Sequence, residues 1–538
     1  MKPPMASTLW PLLLLLVLFL LSFNPGASDT SYDGLVRCLS KRVLPPSQVS
    51  KIVYQPTNSS FTTVLNAYVR NLRFNTSTTP KPLIIVTPLV ESHVSAAVVC
   101  ARALGLHIKI RSGGHDYEGI SYVSDDPFII LDMFNLRSID VNIQDESAWV
   151  QAGATLGELY YRIWEKSKVY AYPAGICPTV GVGGHVSGGG YGNLLRKYGL
   201  AVDNLLDARI VDARGRILDR RSMGEDLFWA ISGGGGASFG VVLAYRVKLV
   251  PVPETVTVFR VEMYLDEKVN TTDMVYKWQM VAPSTDVDLF MRMLIQPVSS
   301  RVQKGKKTIR ASVLAEFLGP ADRLVPILDK ELPELGLKKE SCMEMSWIQS
   351  VLWWANFDNS TAPTVLLDRA PASLNFLKRK SDYVQNPISK ADLQGLWNKL
   401  ISLGKSGLVF NAYGGRMSEI AATATPFPHR AGNLYKIQHS INWSEKGTDA
   451  EKNYLSQIRE AYRYMEPLVS SNPRSAFLNY RDLDIGVTTN GNGNDSYAQG
   501  LVYGLKYFNG NFDRLVRIKT AVDPTNFFRN EQSIPVKL

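Results

Sequence analysis

Cysteine and histidine are both scarce in this chain of 538 residues. The four cysteines, Cys38, Cys100, Cys177 and Cys342, include no CxxC pair and no Cys/His pair at zinc spacing, so no structural metal is expected. The GxGxxG fingerprint and the P-loop pattern are missing, which removes the usual sequence arguments for a Rossmann or NTPase site. No stretch approaches 18 uninterrupted apolar residues, so no membrane span is expected. Charge is not one-sided either. Lys+Arg is 59 and Asp+Glu 49, a net +10, and basic residues cluster only in KGKK at 304–307 and KRK at 378–380. Scattered charge of this kind makes no nucleic-acid groove and suits solubility or attraction to an acidic matrix. Internal repeats and a low-complexity tail are absent.

What is present is the composition of a large globular protein, 45% hydrophobic and 20% charged, long enough for two or three domains. Residues 1–28 place Lys2 ahead of an apolar run from Leu12 to Leu21 and small residues at Gly26, Ala27 and Ser28, the pattern of a secretory signal peptide. Its removal takes one basic and no acidic residue, leaving +9. Export implies an extracellular or cell-wall address, with the vacuole as the alternative. Four cysteines in an exported chain can form two disulfides in three connectivities, and Cys177 fits that least because it sits among glycines. Six N-x-S/T sequons, at Asn58, Asn75, Asn270, Asn359, Asn442 and Asn494, suit the same compartment as surface glycosylation sites.

From about 80 to 250, short β-rich runs alternate with helical ones. Thr87-Pro88 opens a helix carrying Val90, Val94, Ala97, Val98 and Ala101 at 3–4 spacing and closing near Gly105. Strands are expected at 107–111, 128–132, 208–212 and 240–249, and a helix begins at Thr155, with Glu158 placed for a capping box. From 251 to about 475, long strand-like runs alternate with helices, one of them near 450–469, as in a second α+β domain. The last block, 476–538, reads as a strand FLNYRDLD, a turn-rich TTNGNGND and a helix SYAQGLVYGLKYF.

The chemistry concentrates in three glycine-rich loops, RSGGHDYEG (111–119), CPTVGVGGHVSGGGYG (177–192) and SGGGGASFG (232–240). Backbone without Cβ lets N–H groups approach a diphosphate or a flat ring, and three such loops imply a large cofactor, whereas one alone would be read as a tight turn. Gly236 to Gly240 also matches the G-x-S-x-G of a nucleophile elbow, which requires a helix after the serine. The β-branched VVLAYRVKLV that follows Ser238 argues instead for a strand and against a serine hydrolase. Of the six histidines, His115 and His185 fall inside the loops, and His115, between Gly114 and Asp116, has no helix or strand face to pack on.

RSGGHDYEG, CPTVGVGGHVSGGGYG, YRDLD and the ending DPTNFFRNEQSIP, in this order and spacing, resemble the plant berberine bridge enzyme-like FAD oxidoreductases over essentially the whole mature chain. The resemblance implies an α+β fold of the vanillyl-alcohol-oxidase type. After the signal peptide at 1–28, the FAD-binding domain would span 29–250 and the substrate domain 251–475, and the segment 476–538 would return to the FAD domain. It implies an FAD linked twice, through His115 to the 8α carbon and through Cys177 to C6. Arg111, Ser112, Gly113, Gly114, Asp116, Gly181, Gly183, Gly184, His185, Gly188, Gly189, Gly192, Val242 and Asn526 are the other cofactor-binding candidates. It also implies a Cys38–Cys100 disulfide and an unpaired Cys342.

The same match places Tyr480 as the base that takes a hydroxyl proton while hydride leaves the carbon. A tyrosine titrates near 10, so a tyrosinate at neutral pH needs a nearby cation, and Lys436 is the candidate. Gln438, two residues on in a strand, shares its face. With Tyr117 and Tyr191 this set resembles the subgroup that oxidises monolignols, and no glutamate base of the berberine bridge kind stands among Lys436, Gln438 and their neighbours. In the family the residue three after the flavin-bound cysteine gates oxygen; here it is Val180, which implies an H2O2-forming oxidase. Three functions follow: a monolignol or phenylpropanoid alcohol oxidase, a carbohydrate oxidase acting on the reducing end of an oligosaccharide, and a non-redox cyclase or binding protein. The intact His115, Cys177, Val180 and Tyr480 speak against the third. The expected partners are a small-molecule alcohol or oligosaccharide and O2, with no nucleic acid and no membrane, and the chain is expected to be a monomer.

Overall fold

The computed structural model describes residues 27–267, 270–371, 373–489 and 494–537; residues 1–26 of the expected signal peptide lie outside them. Among the described residues no helix is long and apolar enough to cross a membrane. Strands β1 (Val53–Tyr54), β2 (Ile84–Val86), β3 (His107–Arg111) and β4 (Phe128–Asp132) form a first sheet in the order β1-β2-β4-β3. β2, β4 and β3 run parallel, and helix α1 (Glu91–Ala103) supplies the crossover that parallel neighbours need. A disulfide joins Cys38 to Cys100 on α1, while Cys177 and Cys342 are free thiols.

A second, antiparallel sheet takes β5 (Ile139–Asn142), β6 (Ser147–Gln151), β7 (Leu205–Val211), β8 (Ile217–Leu218) and β9 (Val241–Lys248) in the order β5-β6-β9-β7-β8. Helix α2 (Leu156–Lys166) begins at the expected capping box. Thr155 Oγ1 accepts the Glu158 N–H at 3.2 Å, and the Thr155 N–H donates to Glu158 Oε2 at 2.8 Å. Ser238 closes a short turn, Gly236–Ser238, and the chain then enters β9, so the elbow geometry is absent there.

The third sheet has seven strands, all paired antiparallel: β10 (Val256–Tyr264), β11 (Leu289–Ser299), β12 (Lys307–Phe317), β13 (Cys342–Met345), β14 (Phe376–Val384), β15 (Gly407–Ala412) and β16 (Tyr435–Trp443), in the order β13-β10-β12-β11-β15-β16-β14. Helices α3 (Thr271–Ser284) and α4 (Lys390–Leu403) cover one face, where Trp278, Trp397 and Phe410 are wholly buried. Directly paired residues of antiparallel strands share a face. Register therefore aligns Arg292, Asn411, Lys436 and Tyr383 in one row on the opposite face, with Leu294, Val409, Gln438 and Ser381 in the next. That face looks toward the glycine loops.

Helix α5 (Thr448–Tyr464) fills the 450–469 expectation, and α6 (Asn494–Phe508) and α7 (Phe512–Val522) lead the chain back. The buried ammonium of Lys519 on α7 donates to Ser238 O at 2.7 Å and Phe528 O at 2.6 Å, which pins the C-terminal segment onto the third glycine loop. Phe527 and Phe528 then pack in the same core as β2, β4 and α1. One expectation fails. FLNYRDLD is not a strand but two 3-10 turns, Leu478–Tyr480 and Leu483–Ile485. Its N–H groups find other partners, Phe477 N–H on Ser381 Oγ at 2.9 Å and Asp484 N–H on Asp482 Oδ1 at 3.1 Å, so the alternation of the sequence has no ladder to join. Part of TTNGNGND lies outside the described residues.

Candidate active site

A cavity of about 460 Å³ lies between the glycine loops, the third sheet and the C-terminal return. Its wall takes Ser112, Gly113, Gly114, His115, Asp116 and Tyr117 from the first loop, and Cys177, Val180, Gly181, Gly183, Gly184, His185, Gly188 and Tyr191 from the second. Gly235, Ser238 and Val242 come from the third loop and the strand after it. The first two loops pack backbone on backbone, because a Cβ on Gly113 would lie 2.3 Å from the Gly181 nitrogen. At Gly184 a Cβ would meet nothing within 4 Å, so the backbone there stands open to a ligand.

Two nucleophiles face this space. His115 Nε2 pairs with Thr179 Oγ1 at 2.9 Å, and burial, with Arg70 nearby, lowers its pKa to about 3, so the imidazole is neutral. The Cys177 thiol is accessible from the cavity; burial pushes its pKa up, while Arg292 and Arg379 pull it back. His185 Nε2 accepts the Gly175 N–H at 3.1 Å and is held neutral by burial, its pKa lowered to about 4. Lys109, Arg481 and Arg529 give another part of the wall a positive lining. Neutral ring nitrogen, thiol, bare glycine backbone and basic side chains are the donor set an FAD needs, and the residues fit that cofactor.

Three tyrosines close the side next to the third sheet. Tyr191 and Tyr480 share a short hydroxyl–hydroxyl hydrogen bond, and the Tyr117 ring lies 5.7 Å from that of Tyr480. Burial raises all three phenols, Tyr117 to about 12 and Tyr480 well above its ordinary value, and Arg292 opposes the shift on Tyr191 and Tyr480. A hydrogen-bonded pair of this kind gives up its first proton as a unit. Gln438 Nε2 donates to Tyr117 Oη at 3.0 Å, as its place in the strand requires.

Lys436 corrects the sequence reading. Its Nζ stands 3.3 Å from the Tyr191 ring centre, 3.8 Å from Phe477 and 4.4 Å from Tyr480, so it meets ring faces rather than phenolic oxygens. Burial drives its own pKa well down, and Arg292 adds to that. The cations that favour ionised Tyr480 include Arg292 on β11 and Arg379 on β14.

Four cofactor candidates are not among the residues that line this cavity. The Arg111 guanidinium is spent on Asp132, at 3.0 Å from Nε, and on the carbonyls of Val64 and Leu65, so it braces β3 against β4 outside the cavity wall. Gly192 backs onto the Ala174 carbonyl. Gly189, whose positive φ of 114° suits glycine, faces Phe427 and Phe477. Asn526, at a positive φ of 50°, shapes the turn after α7.

The sequence reading also missed residues, above all Arg292 and Arg379. Arg292 Nε donates to Asn411 Oδ1 at 2.8 Å; Arg379 donates to the Lys378 and Ile441 carbonyls and, at 2.6 Å, to Asn442 Oδ1. Among the described residues neither pairs with a carboxylate. A lone arginine inside the apolar LFMRMLIQP was the available signal for the first. Of the sequons, Asn58, Asn75, Asn270, Asn359 and Asn442 are exposed, and the side chain of Asn494 lies outside the described residues.

Residues 82–220 match the FAD binding domain family, and 476–535 the family described as berberine and berberine like. Berberine bridge enzyme-like 21 of Arabidopsis thaliana is 62% identical over 523 residues, 97% of this chain and 96% of that protein. The solved structure of BBE-like #28 from Arabidopsis thaliana has a TM-score of 0.86 at 44% identity, over 94% of this chain and 99% of that one. Phl p 4, a grass pollen allergen with glucose dehydrogenase activity, has a TM-score of 0.87 at 43% identity, over 93% and 99%, and an isoleucine-to-valine variant of it is a glucose oxidase. The two matched segments bracket the cavity wall from both ends of the fold, and the α+β architecture is that of these relatives: the chain belongs to the berberine bridge enzyme-like family of FAD-dependent oxidoreductases.

Proposed function

We propose that this chain is a secreted FAD-dependent carbohydrate oxidase that oxidises the anomeric carbon of a reducing-end sugar to the lactone, with acidic oligosaccharides preferred. The observation that carries this reading is the Arg379 guanidinium, in the cavity wall without a carboxylate partner among the described residues. Arg379 is half-buried, and a cation partly withdrawn from water without an anion is stabilised when a ligand supplies one. The carboxylate of a uronic acid would do so, and a neutral phenylpropanoid would not. The glucose-oxidising activity of Phl p 4 and the basic mature surface support the same choice. Oxidation of a monolignol is the second reading, favoured by the aromatic wall of Tyr117, Tyr191, Phe477 and Tyr480.

His115 and Cys177 would hold the FAD covalently, and the bound cofactor supplies a two-electron acceptor that hands its electrons to O2 as H2O2. The chain's own part is proton transfer and orientation. Tyr480 Oη is placed to take the proton of the anomeric hydroxyl as the C–H bond breaks, which requires the Tyr191–Tyr480 pair to have lost its first proton, a loss that burial opposes and Arg292 favours. Arg292 offsets the negative charge of the pair. Arg379 and the Gln438–Tyr117 hydrogen bond fix the sugar's orientation. Val180, in the cavity wall, would leave a path for O2.

The test is a panel of neutral and acidic oligosaccharides, monosaccharides and monolignols, read as H2O2. Before the panel, acid precipitation of the protein should leave the yellow colour in the pellet. Acidic oligosaccharides should give the highest kcat/KM, and Arg379→Leu should cost about tenfold or more for them, the size of one charge-assisted hydrogen bond, and little for a neutral sugar. A panel in which only monolignols yield H2O2 overturns the reading.

A further inference from the structure

The KRK cluster at 378–380 is not a solvated face. Alternation along β14 turns Arg379 to the cavity and sends Lys378 and Lys380 to the other side, where both side chains are 2% exposed. The Lys378 ammonium bonds the Glu118 carboxylate and Asp482 Oδ1, the latter at 2.7 Å. Lys380 bonds Asp482 Oδ2 at 2.5 Å and Asp484 Oδ2 at 3.0 Å. Arg73 and Arg459 close the outer edge, on Glu118 at 3.7 Å and Asp484 at 2.7 Å.

The partners are adjacent in sequence to the residues that face the substrate. Glu118 follows Tyr117, Lys378 precedes Arg379, and Asp482 lies two residues after Tyr480. These side chains belong to three separate parts of the chain, the first glycine loop, the third sheet and the C-terminal return, and the segment bearing Tyr480 has no strand ladder to fix it. Buried ion pairs are a weak way to stabilise a fold, because desolvation offsets their attraction and apolar residues of equal volume hold as well. Apolar packing cannot set direction, however, and charge-assisted hydrogen bonds can.

We propose that the buried cluster centred on Lys378 is a positioning device that sets Tyr117, Arg379 and Tyr480 in mutual register around the reacting carbon. Lys378, Glu118 and Asp482 act through their neighbours and touch no substrate. The assignment rests on the reading of Tyr480 as the proton acceptor, so its test has one arm that needs no substrate.

In that arm 3-fluorotyrosine is placed at position 480 of the holoenzyme, and 19F NMR of Lys378→Met is compared with the otherwise native protein. A single resonance in the native cluster should become several, or one broadened and shifted. In the second arm, stopped-flow reduction by a reducing-end sugar that the enzyme oxidises should be slowed by about 10–100-fold, the usual effect of a misplacement near 1 Å, with Kd within about threefold and reoxidation by O2 unchanged. If Lys378→Met does not yield folded protein, Glu118→Gln, which keeps the shape and removes one charge, is read the same way. An unchanged 19F resonance overturns the proposal, as does a reduction rate within twofold of wild type. If no sugar reduces the flavin, the functional reading falls and the 19F arm decides this one alone.

Discussion

At the scale of single residues, proton affinity around the cavity is set by burial against two cations, Arg292 and Arg379. Tyr480 and Tyr191 are pushed up by desolvation, and Arg292 pulls both back. Tyr480→Phe should therefore slow flavin reduction by roughly 10²–10⁴-fold with flavin retained, the usual range for a general base. Arg292→Leu removes a cation that favours the ionised form, so the pKa of the pair rises. Flavin reduction followed by stopped flow from pH 6 to 11 should then show its basic-side increase displaced to higher pH. A profile that overlays wild type removes Arg292 from the proton chemistry, and near-normal reduction in Tyr480→Phe passes the role to Tyr191 or Tyr117.

Elements differ in how far local rules determine them. The strands at 107–111 and 128–132 and the helix capped by Thr155 were legible because their pattern and their caps are local. Tyr480 was placed correctly beside the cavity but on the wrong element, since FLNYRDLD alternates like a strand and only the tertiary fold withholds a ladder from it. The KRK cluster shows the same limit of local rules. A basic triplet reads as solvated, and only the carboxylates of distant segments make burial of Lys378 and Lys380 tolerable. Arg111 was assigned by its motif, whereas its guanidinium is committed to Asp132 on the neighbouring strand. The second glycine loop brings Cys177, Val180, Gly181, Gly183, Gly184, His185 and Gly188 to the cavity, and it carries a prediction of its own. Val180 lines the cavity three residues after Cys177, so Val180→Ile should slow reoxidation of the reduced flavin by O2 while reduction by sugar stays within about twofold, a split that isolates one half-reaction. Stopped-flow traces in which both halves are unchanged place the oxygen path elsewhere.

The whole molecule depends on the C-terminal return staying seated, and buried histidines stand at its contacts. His429 stacks on Tyr383 of β14 with ring centres 4.1 Å apart and bonds the Tyr507 carbonyl of α6 at 3.1 Å. His107 on β3 bonds the Arg529 carbonyl at 2.9 Å. Burial lowers both, His429 to about 3 and His107 to about 4, against an ordinary 6.5. Between 6.5 and those values the unfolded chain takes up protons that the folded one refuses. The stability they contribute is therefore complete above pH 6.5 and falls as pH drops toward 4, by up to about 1.4 kcal/mol per pH unit for each group. The buried Glu316, whose pKa burial raises, works in the opposite direction over part of that range, so the clean readout is a single-residue comparison. His429→Gln should lower the melting temperature at pH 7, through lost stacking against Tyr383. At pH 5 the gap to wild type should narrow by the equivalent of about 2 kcal/mol, because only the wild type then meets the cost of a histidine that must stay neutral. A gap of equal size at both pH values would mean that His429 is protonated in place and that the return is held by other contacts.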